Sequence, residues 1–172
     1  MAHKFPVFLD VSNKKIRVYG AGRIAARRVE TLLAFAPLLT VCAPEFSEKI
    51  RLAASEGKLR LLKEPYEAGT IPEDTFMVLA ATNDPAVNES IWRECRDKGI
   101  MVNVCSDRRL CDFQFPGVVI KEDLVIGVNA GGNDHHLAKA WTDRIRREVE
   151  KDGYDNQTET SSDDGKLKKN GT

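Results

Sequence analysis

Residues 16 to 25 read Ile-Arg-Val-Tyr-Gly-Ala-Gly-Arg-Ile-Ala, and the spacing Gly20-x-Gly22-x-x-Ala25 is that of a dinucleotide-binding turn. Gly20 permits a tight exit from a strand, Gly22 lets backbone amides approach a pyrophosphate, and Ala25 lets a helix pack close to the strand. The phosphates would rest on unpaired N–H groups at the start of that helix, where the dipole favours anions. Three small residues at this spacing arise often by chance, so the motif counts only with a strand before it and a helix after it. Val18 and Tyr19 supply the strand end, and Ala25, Val29, Leu32, Leu33 and Ala36 share one helical face. The plain alternative is a glycine-rich turn that binds nothing.

Other reactive residue types give weaker patterns. Cys42, Cys95, Cys105 and Cys111 make no CxxC pair, which argues against zinc and for thiols resting in a reducing cytosol. His135 and His136 sit at a predicted helix start, where a neutral imidazole could ligate a metal or exchange a proton. Adjacent helical residues face different directions, so the pair is not read as a shared metal site.

The chain has 172 residues, 42% of them hydrophobic, with 26 Lys plus Arg against 26 Asp plus Glu. That suits one ordinary domain with a small appendage, and no global field draws it to nucleic acid or a membrane surface. No run reaches the ~18 apolar residues of a membrane span. The start Met-Ala-His-Lys-Phe-Pro lacks a signal peptide's apolar stretch, so the expected location is the cytoplasm.

Strand and helix signals alternate along the chain. Phe5 to Leu9, Ile16 to Tyr19, Leu38 to Cys42, Leu59 to Leu62, Phe76 to Ala80 and Met101 to Val104 read as strands. Pro44 with Glu45 opens a helical segment that Gly57 ends. Asn83 or Asp84 is a good N-cap, Pro85 a good first helical residue, and Val87, Ile91 and Cys95 make the buried stripe that follows. This alternation predicts an α/β fold, a Rossmann-like parallel sheet whose ligands bind beyond the carboxyl ends of the strands. Gly20, Ala43, Thr82 and Asn103 all fall there. The pattern then changes. Phe113 to Ile120 and Leu124 to Val128 look like a hairpin, followed by a helix from His135 to Lys151 with Leu137, Trp141, Ile145 and Val149 four apart. The expected division is a nucleotide-binding domain over 1–112, a small hairpin-plus-helix dimerisation domain over 113–152, and a disordered polar tail over 153–172.

At this point the residues resemble a known family. Phe5-Pro6-Val7-Phe8-Leu9-Asp10, the Gly20-Ala21-Gly22 turn with Arg27-Arg28, Thr40-Val41-Cys42-Ala43-Pro44-Glu45 and Ala80-Ala81-Thr82-Asn83-Asp84 are similar to the precorrin-2 dehydrogenases, the dehydrogenase module of sirohaem synthases. Val102-Asn103-Val104, Cys111-Asp112-Phe113, Phe115-Pro116 and the Gly131-Gly132 turn before Leu137-Ala138 extend the likeness over residues 4 to 150. It implies NAD-dependent oxidation of the tetrapyrrole precorrin-2 to sirohydrochlorin by a homodimer. Some members also insert iron, a point these residues leave open.

Carried onto this chain, the resemblance puts NAD phosphates at Gly20, Gly22, Arg23 and Ile24. The adenosine ribose falls near Ala43, Pro44 and Glu45, and the nicotinamide side near Thr82, Asn83, Asn103 and Val104. Glu45 is the first carboxylate past the second strand and suits the ribose hydroxyls, or equally the first turn of a helix. A polycarboxylate substrate calls for cations and free amides, so Arg108, Arg109, Lys121, Lys139, Gly131, Gly132 and His135 are candidates.

The family has an aspartate directly after its Asn-Val-Val stretch, where this chain has Ser106, with Asp107 one residue later. Asp107 is therefore the candidate proton acceptor, with Asp112 in reserve. Asn129-Ala130 and Asn133-Asp134 replace the family's hydroxyl residues around the glycines, and the expectation from the polar tail is that the family's helical covering domain does not follow. The alternative is a non-catalytic descendant that still binds nucleotide or tetrapyrrole as a carrier or sensor.

Overall fold

The computed structural model describes residues 4–131 and 134–151. Gly132 and the polar tail of 153–172, both named above, lie outside the described residues.

The chain runs β1 (Lys15–Tyr19), α1 (Arg23–Leu33), β2 (Leu38–Cys42), α2 (Glu48–Ser55), β3 (Arg60–Leu62), β4 (Met77–Ala80), α3 (Pro85–Lys98) and β5 (Met101–Val104). These five strands form one parallel sheet in the order β3-β2-β1-β4-β5. A 3₁₀ turn (Arg108–Leu110), the antiparallel hairpin of β6 (Gly117–Lys121) and β7 (Leu124–Val128), and α4 (His135–Lys151) complete it. The α/β expectation with its C-terminal hairpin and helix holds.

Alternation along each strand sorts side chains onto two faces. Ile16, Val18, Leu39, Val41, Met77 and Leu79 pack with Ala25, Val29 and Leu32 of α1 and Ile50 of α2. Tyr19, Cys42, Val78, Ala80, Val102 and Val104 pack with Ile91 and Cys95 of α3. Fully burying an aliphatic side chain of this size contributes roughly 1.5–3 kcal/mol, so the doubly covered sheet is the main stabilising feature.

No helix bridges β3 to β4. That crossover is held instead by Glu94 of α3, which accepts from Tyr66 Oη (2.7 Å), Gly69 N (2.9 Å) and Ile71 N (2.8 Å) and pairs with Lys98 Nζ (2.7 Å). The outer side of β5 is closed in a related way: Asp112 N donates to Val102 O (3.0 Å), and its carboxylate accepts from Val102 N (2.9 Å). One backbone bond and one side-chain bond from Asp112 thus protect an edge strand from open pairing.

Four local expectations change. Phe5 to Leu9 form no strand and stay exposed, since both sides of β1 are occupied by β2 and β4. The second helix begins at Glu48, with Ser47 as N-cap, because Ala43 N still bonds Leu62 O (3.1 Å) and keeps the chain extended past β2. Residues 113–116 are not part of β6, since Phe113 O is taken by Asn103 Nδ2 of β5 (2.7 Å). On α4, Leu137 and Trp141 are about half exposed (48% and 47%), while Thr142 is buried against Gly117. A Cβ at Gly117 would lie 2.2 Å from Thr142 Oγ1, so glycine sets how closely helix and hairpin approach.

Candidate functional site

The strand order reverses between β1 and β4, and in open parallel sheets that switch point opens the crevice where ligands bind. The loop after β1 carries Gly20 and Gly22, and the loop after β4 carries Ala81 to Asp84. The two touch: Gly20 has φ +100°, and a Cβ there would lie 2.3 Å from Ala81 O. Only glycine fits that position. Gly20 N also donates to Cys42 O (2.9 Å), and Ala81 N to Tyr19 O (2.8 Å), which fixes both loops on the strand ends.

Gly22 differs from Gly20. It is exposed, has an ordinary φ of −74°, and would meet nothing within 4 Å if it carried a Cβ. It is the N-cap of α1, with no side-chain cap and no acidic residue in the first turn. The first intrahelical bond is Ala26 N to Gly22 O (2.9 Å), so the amides of Arg23, Ile24 and Ala25 precede the ladder. By contrast, Asp84 caps α3, accepting from Ala86 N (2.8 Å) and Val87 N (3.4 Å). One helix start in the crevice is satisfied by its own chain and the other is open to an anion. Arg23 and Ile24 are exposed beside it, Ile24 at 47%. Past β2, Ala43 is buried while Pro44 and Glu45 are exposed.

Across the crevice, Thr82 is half-buried and Asn83 exposed. Asn103 and Val104 are buried at the end of β5, and both polar ends of Asn103 are engaged: Arg28 Nη1 donates to its Oδ1, and its Nδ2 donates to Phe113 O. The side chain of Asn103 therefore holds the protein together at this edge. Asp107 lies in the loop after β5 and caps the 3₁₀ turn, accepting from Arg109 N (2.9 Å), Nε (3.0 Å) and Nη2 (2.7 Å). Those side-chain and backbone bonds bring its pKa down to about 2. The reserve carboxylate, Asp112, is spent on β5 and on Arg96 Nη1 (3.2 Å).

Among the candidate substrate cations, Arg109 is paired with Asp107, Lys139 with Asp143 (2.7 Å), and Lys121 Nζ donates to Val149 O (2.6 Å). Arg108 is exposed without an ion pair among the described residues. Gly131 (φ +69°) and His135 are exposed before and at the start of α4. All four cysteines are free thiols, and burial pushes the Cys95 thiol up to about 12. Two open clefts, about 690 Å³ between α1 and α2 and about 710 Å³ beside Lys15, Arg17 and Arg60, lie away from the glycine turn. Among the described residues no helix is long and apolar enough to cross a membrane.

Sequence reasoning missed Asn88. It is 1% exposed, and its Oδ1 accepts from Thr82 N (3.1 Å) and Thr82 Oγ1 (2.8 Å) while its Nδ2 donates to Thr82 O (3.1 Å) and Ser106 Oγ (3.2 Å). The available signal was position: 88, 91 and 95 form the buried stripe of α3, and an asparagine on such a stripe needs partners.

A family model described as "Putative NAD(P)-binding" matches residues 7–117. Among solved structures, SirC, precorrin-2 dehydrogenase, superposes with a TM-score of 0.66 at 26% identity, over 86% of this chain and 70% of that one. The chain belongs to the precorrin-2 dehydrogenase family. NAD is its cofactor. This family member is 34% identical over 145 residues to the Probable multifunctional siroheme biosynthesis protein HemA of Ruminiclostridium josui, covering 84% of this chain and 28% of that protein. It is 33% identical over 141 residues to Siroheme synthase of Psychrobacter cryohalolentis, covering 82% and 27%. The chain thus spans less than a third of the length of these relatives.

The residues present fit NAD. The amides of Arg23, Ile24 and Ala25 and the open space over Gly22 suit its pyrophosphate, and Glu45 is the carboxylate exposed past β2.

Proposed function

We propose that this chain oxidises precorrin-2 to sirohydrochlorin, working in the cytoplasm as a homodimer. The observation that carries the reading is the uncapped start of α1 at the switch point of the sheet, in a chain whose fold matches SirC. NAD supplies the chemistry by accepting a hydride.

The chain's own residues do the rest. Backbone amides at the α1 start and the exposed Gly22 hold the pyrophosphate, and the Gly20–Ala81 contact fixes the distance between the two loops that flank it. Glu45 takes the adenosine ribose hydroxyls. Arg23 and Ile24 border the phosphates, and Thr82, Asn83 and the backbone of Asn103 and Val104 border the nicotinamide side.

Loss of a hydride from the macrocycle leaves a cation that must release a proton. Asp107, held ionised by Arg109, is a weak proton acceptor and a good fixed negative charge. It therefore stabilises that cation while water removes the proton. Arg108, His135 and the amides at Gly131 and Gly132 bind substrate carboxylates. The half-exposed Leu137 and Trp141 of α4 give the second copy an apolar face to cover.

The test is anaerobic incubation of the purified protein with precorrin-2 and NAD. The proposal requires NADH to appear in step with sirohydrochlorin absorbance. A folded protein that yields neither refutes it.

A further inference from the structure

We infer that Asn88 orients Ser106 so that its hydroxyl donates to a carboxylate of the substrate, which makes Ser106 a binding residue and Asn88 its positioning residue. The inference rests on the dehydrogenase reading above, because it names how that site grips its substrate.

The orientation of the Asn88 amide is fixed by its neighbours. Thr82 N–H can only donate, so Oδ1 faces it (3.1 Å), and Thr82 O can only accept, so Nδ2 faces that (3.1 Å). With Thr82 Oγ1 on Oδ1 (2.8 Å), one hydrogen of Nδ2 remains, and it goes to Ser106 Oγ (3.2 Å). Each polar atom of this 1% exposed side chain thus has two partners, with the single Thr82 hydroxyl hydrogen lying between Asn88 Oδ1 and Asp84 O (3.0 Å).

Two consequences follow. Thr82 lies in the loop after β4 and Ser106 in the loop after β5, so one buried amide joins the two neighbouring strand exits. Ser106 is also obliged to accept from Asn88. Its hydroxyl hydrogen is given to no partner among the described residues and, with Ser106 exposed, is available to donate to a ligand. An aspartate at this position could accept from Asn88 but could not donate to a carboxylate at neutral pH. Serine therefore turns an acceptor position into a donor position beside Arg108, an exposed cation two residues on. A hydroxyl and a guanidinium together suit an acetate or propionate side chain of a tetrapyrrole.

Steady-state kinetics and sirohydrochlorin titration of Ser106→Ala, Ser106→Thr, Asn88→Asp and the Ser106→Ala/Asn88→Asp double variant test this, with a thermal melt for each. A lost hydrogen bond to a charged group is expected to raise the KM for precorrin-2 and the sirohydrochlorin Kd roughly tenfold in Ser106→Ala, with kcat within about threefold. Ser106→Thr keeps the hydroxyl and restores both. Asn88→Asp cannot donate to Ser106 and shows the same weakening, and the double variant is no worse than Asn88→Asp alone. A fall in kcat at unchanged KM in Ser106→Ala would overturn the inference, as would losses that multiply in the double variant. Should Asn88→Asp not fold, the alanine and threonine pair at Ser106 decides alone. Wild-type protein that binds sirohydrochlorin but makes no NADH would refute the dehydrogenase reading, and the titration would still decide the role of Ser106. Wild-type protein that does neither removes both.

Discussion

Arg28 of α1 donates through Nη1 to Asn103 Oδ1 at the end of β5, and its guanidinium lies 5.0 Å from the centroid of the Phe115 ring. One half-buried cation thus ties the helix that begins at the dinucleotide turn to the strand on the far side of the crevice. Burial lowers the Arg28 pKa, yet an arginine stays charged across the working pH range.

Arg28→Met is expected to lower stability by about 1–3 kcal/mol, because it leaves Asn103 Oδ1 buried without a partner. Urea denaturation measures it. An unchanged midpoint would mean that the clamp contributes nothing.

Glu94 gives a pH-dependent counterpart. Burial pushes its carboxyl up, but hydrogen bonds from Lys98, Tyr66, Ile71 and Gly69 together bring it below the ordinary 4.5. A lowered native pKa means stabilisation present above the ordinary carboxylate range and lost as pH falls through the native value. Glu94→Gln should therefore cost about 1–3 kcal/mol near neutrality and progressively less in acid. Denaturation midpoints of both proteins at several pH values check this, and a gap that widens in acid would contradict it.

Asp107, at about 2, stays ionised throughout the range in which the enzyme would be assayed. The rate should show no ionisation from this residue between roughly pH 5 and 8, and Asp107→Asn should lower turnover by about 10–100-fold at every pH in that window. If Asp107→Asn instead removes an acidic limb from the pH–rate profile, Asp107 is the proton acceptor after all.

Much of the frame was legible in the sequence because it rests on local rules. The Gly20 turn, Asp84 with Pro85 at the start of α3, and α4 over His135–Lys151 all follow from caps and periodicity. What escaped depends on the third dimension. Phe5 to Leu9 has a strand's composition but no free place beside β1. Leu137 and Trp141 have a buried stripe's spacing but find no cover within the described residues. Arg28 and Asn103 are 75 positions apart, and only the meeting of α1 with β5 makes them partners. Asn88 is polar, and only its position on the stripe of Ile91 and Cys95 hints at burial.

Gly20 and Gly22 separate fold from binding, and comparing their alanine variants tests the central assignment most directly. At Gly20 a methyl group would collide with Ala81 O at 2.3 Å in a backbone conformation that alanine avoids, so Gly20→Ala should lose fold and cofactor together. At Gly22 the methyl group meets no protein atom, so Gly22→Ala should keep the wild-type melting temperature within a few degrees. It would nonetheless fill the space where a pyrophosphate approaches the α1 amides. Fluorescence titration of NADH into wild type and Gly22→Ala is therefore the decisive measurement. The account predicts wild-type binding and an affinity at least about tenfold weaker in the folded Gly22→Ala protein. Equal affinity in the two would contradict it, because the dinucleotide would then not lie on this turn.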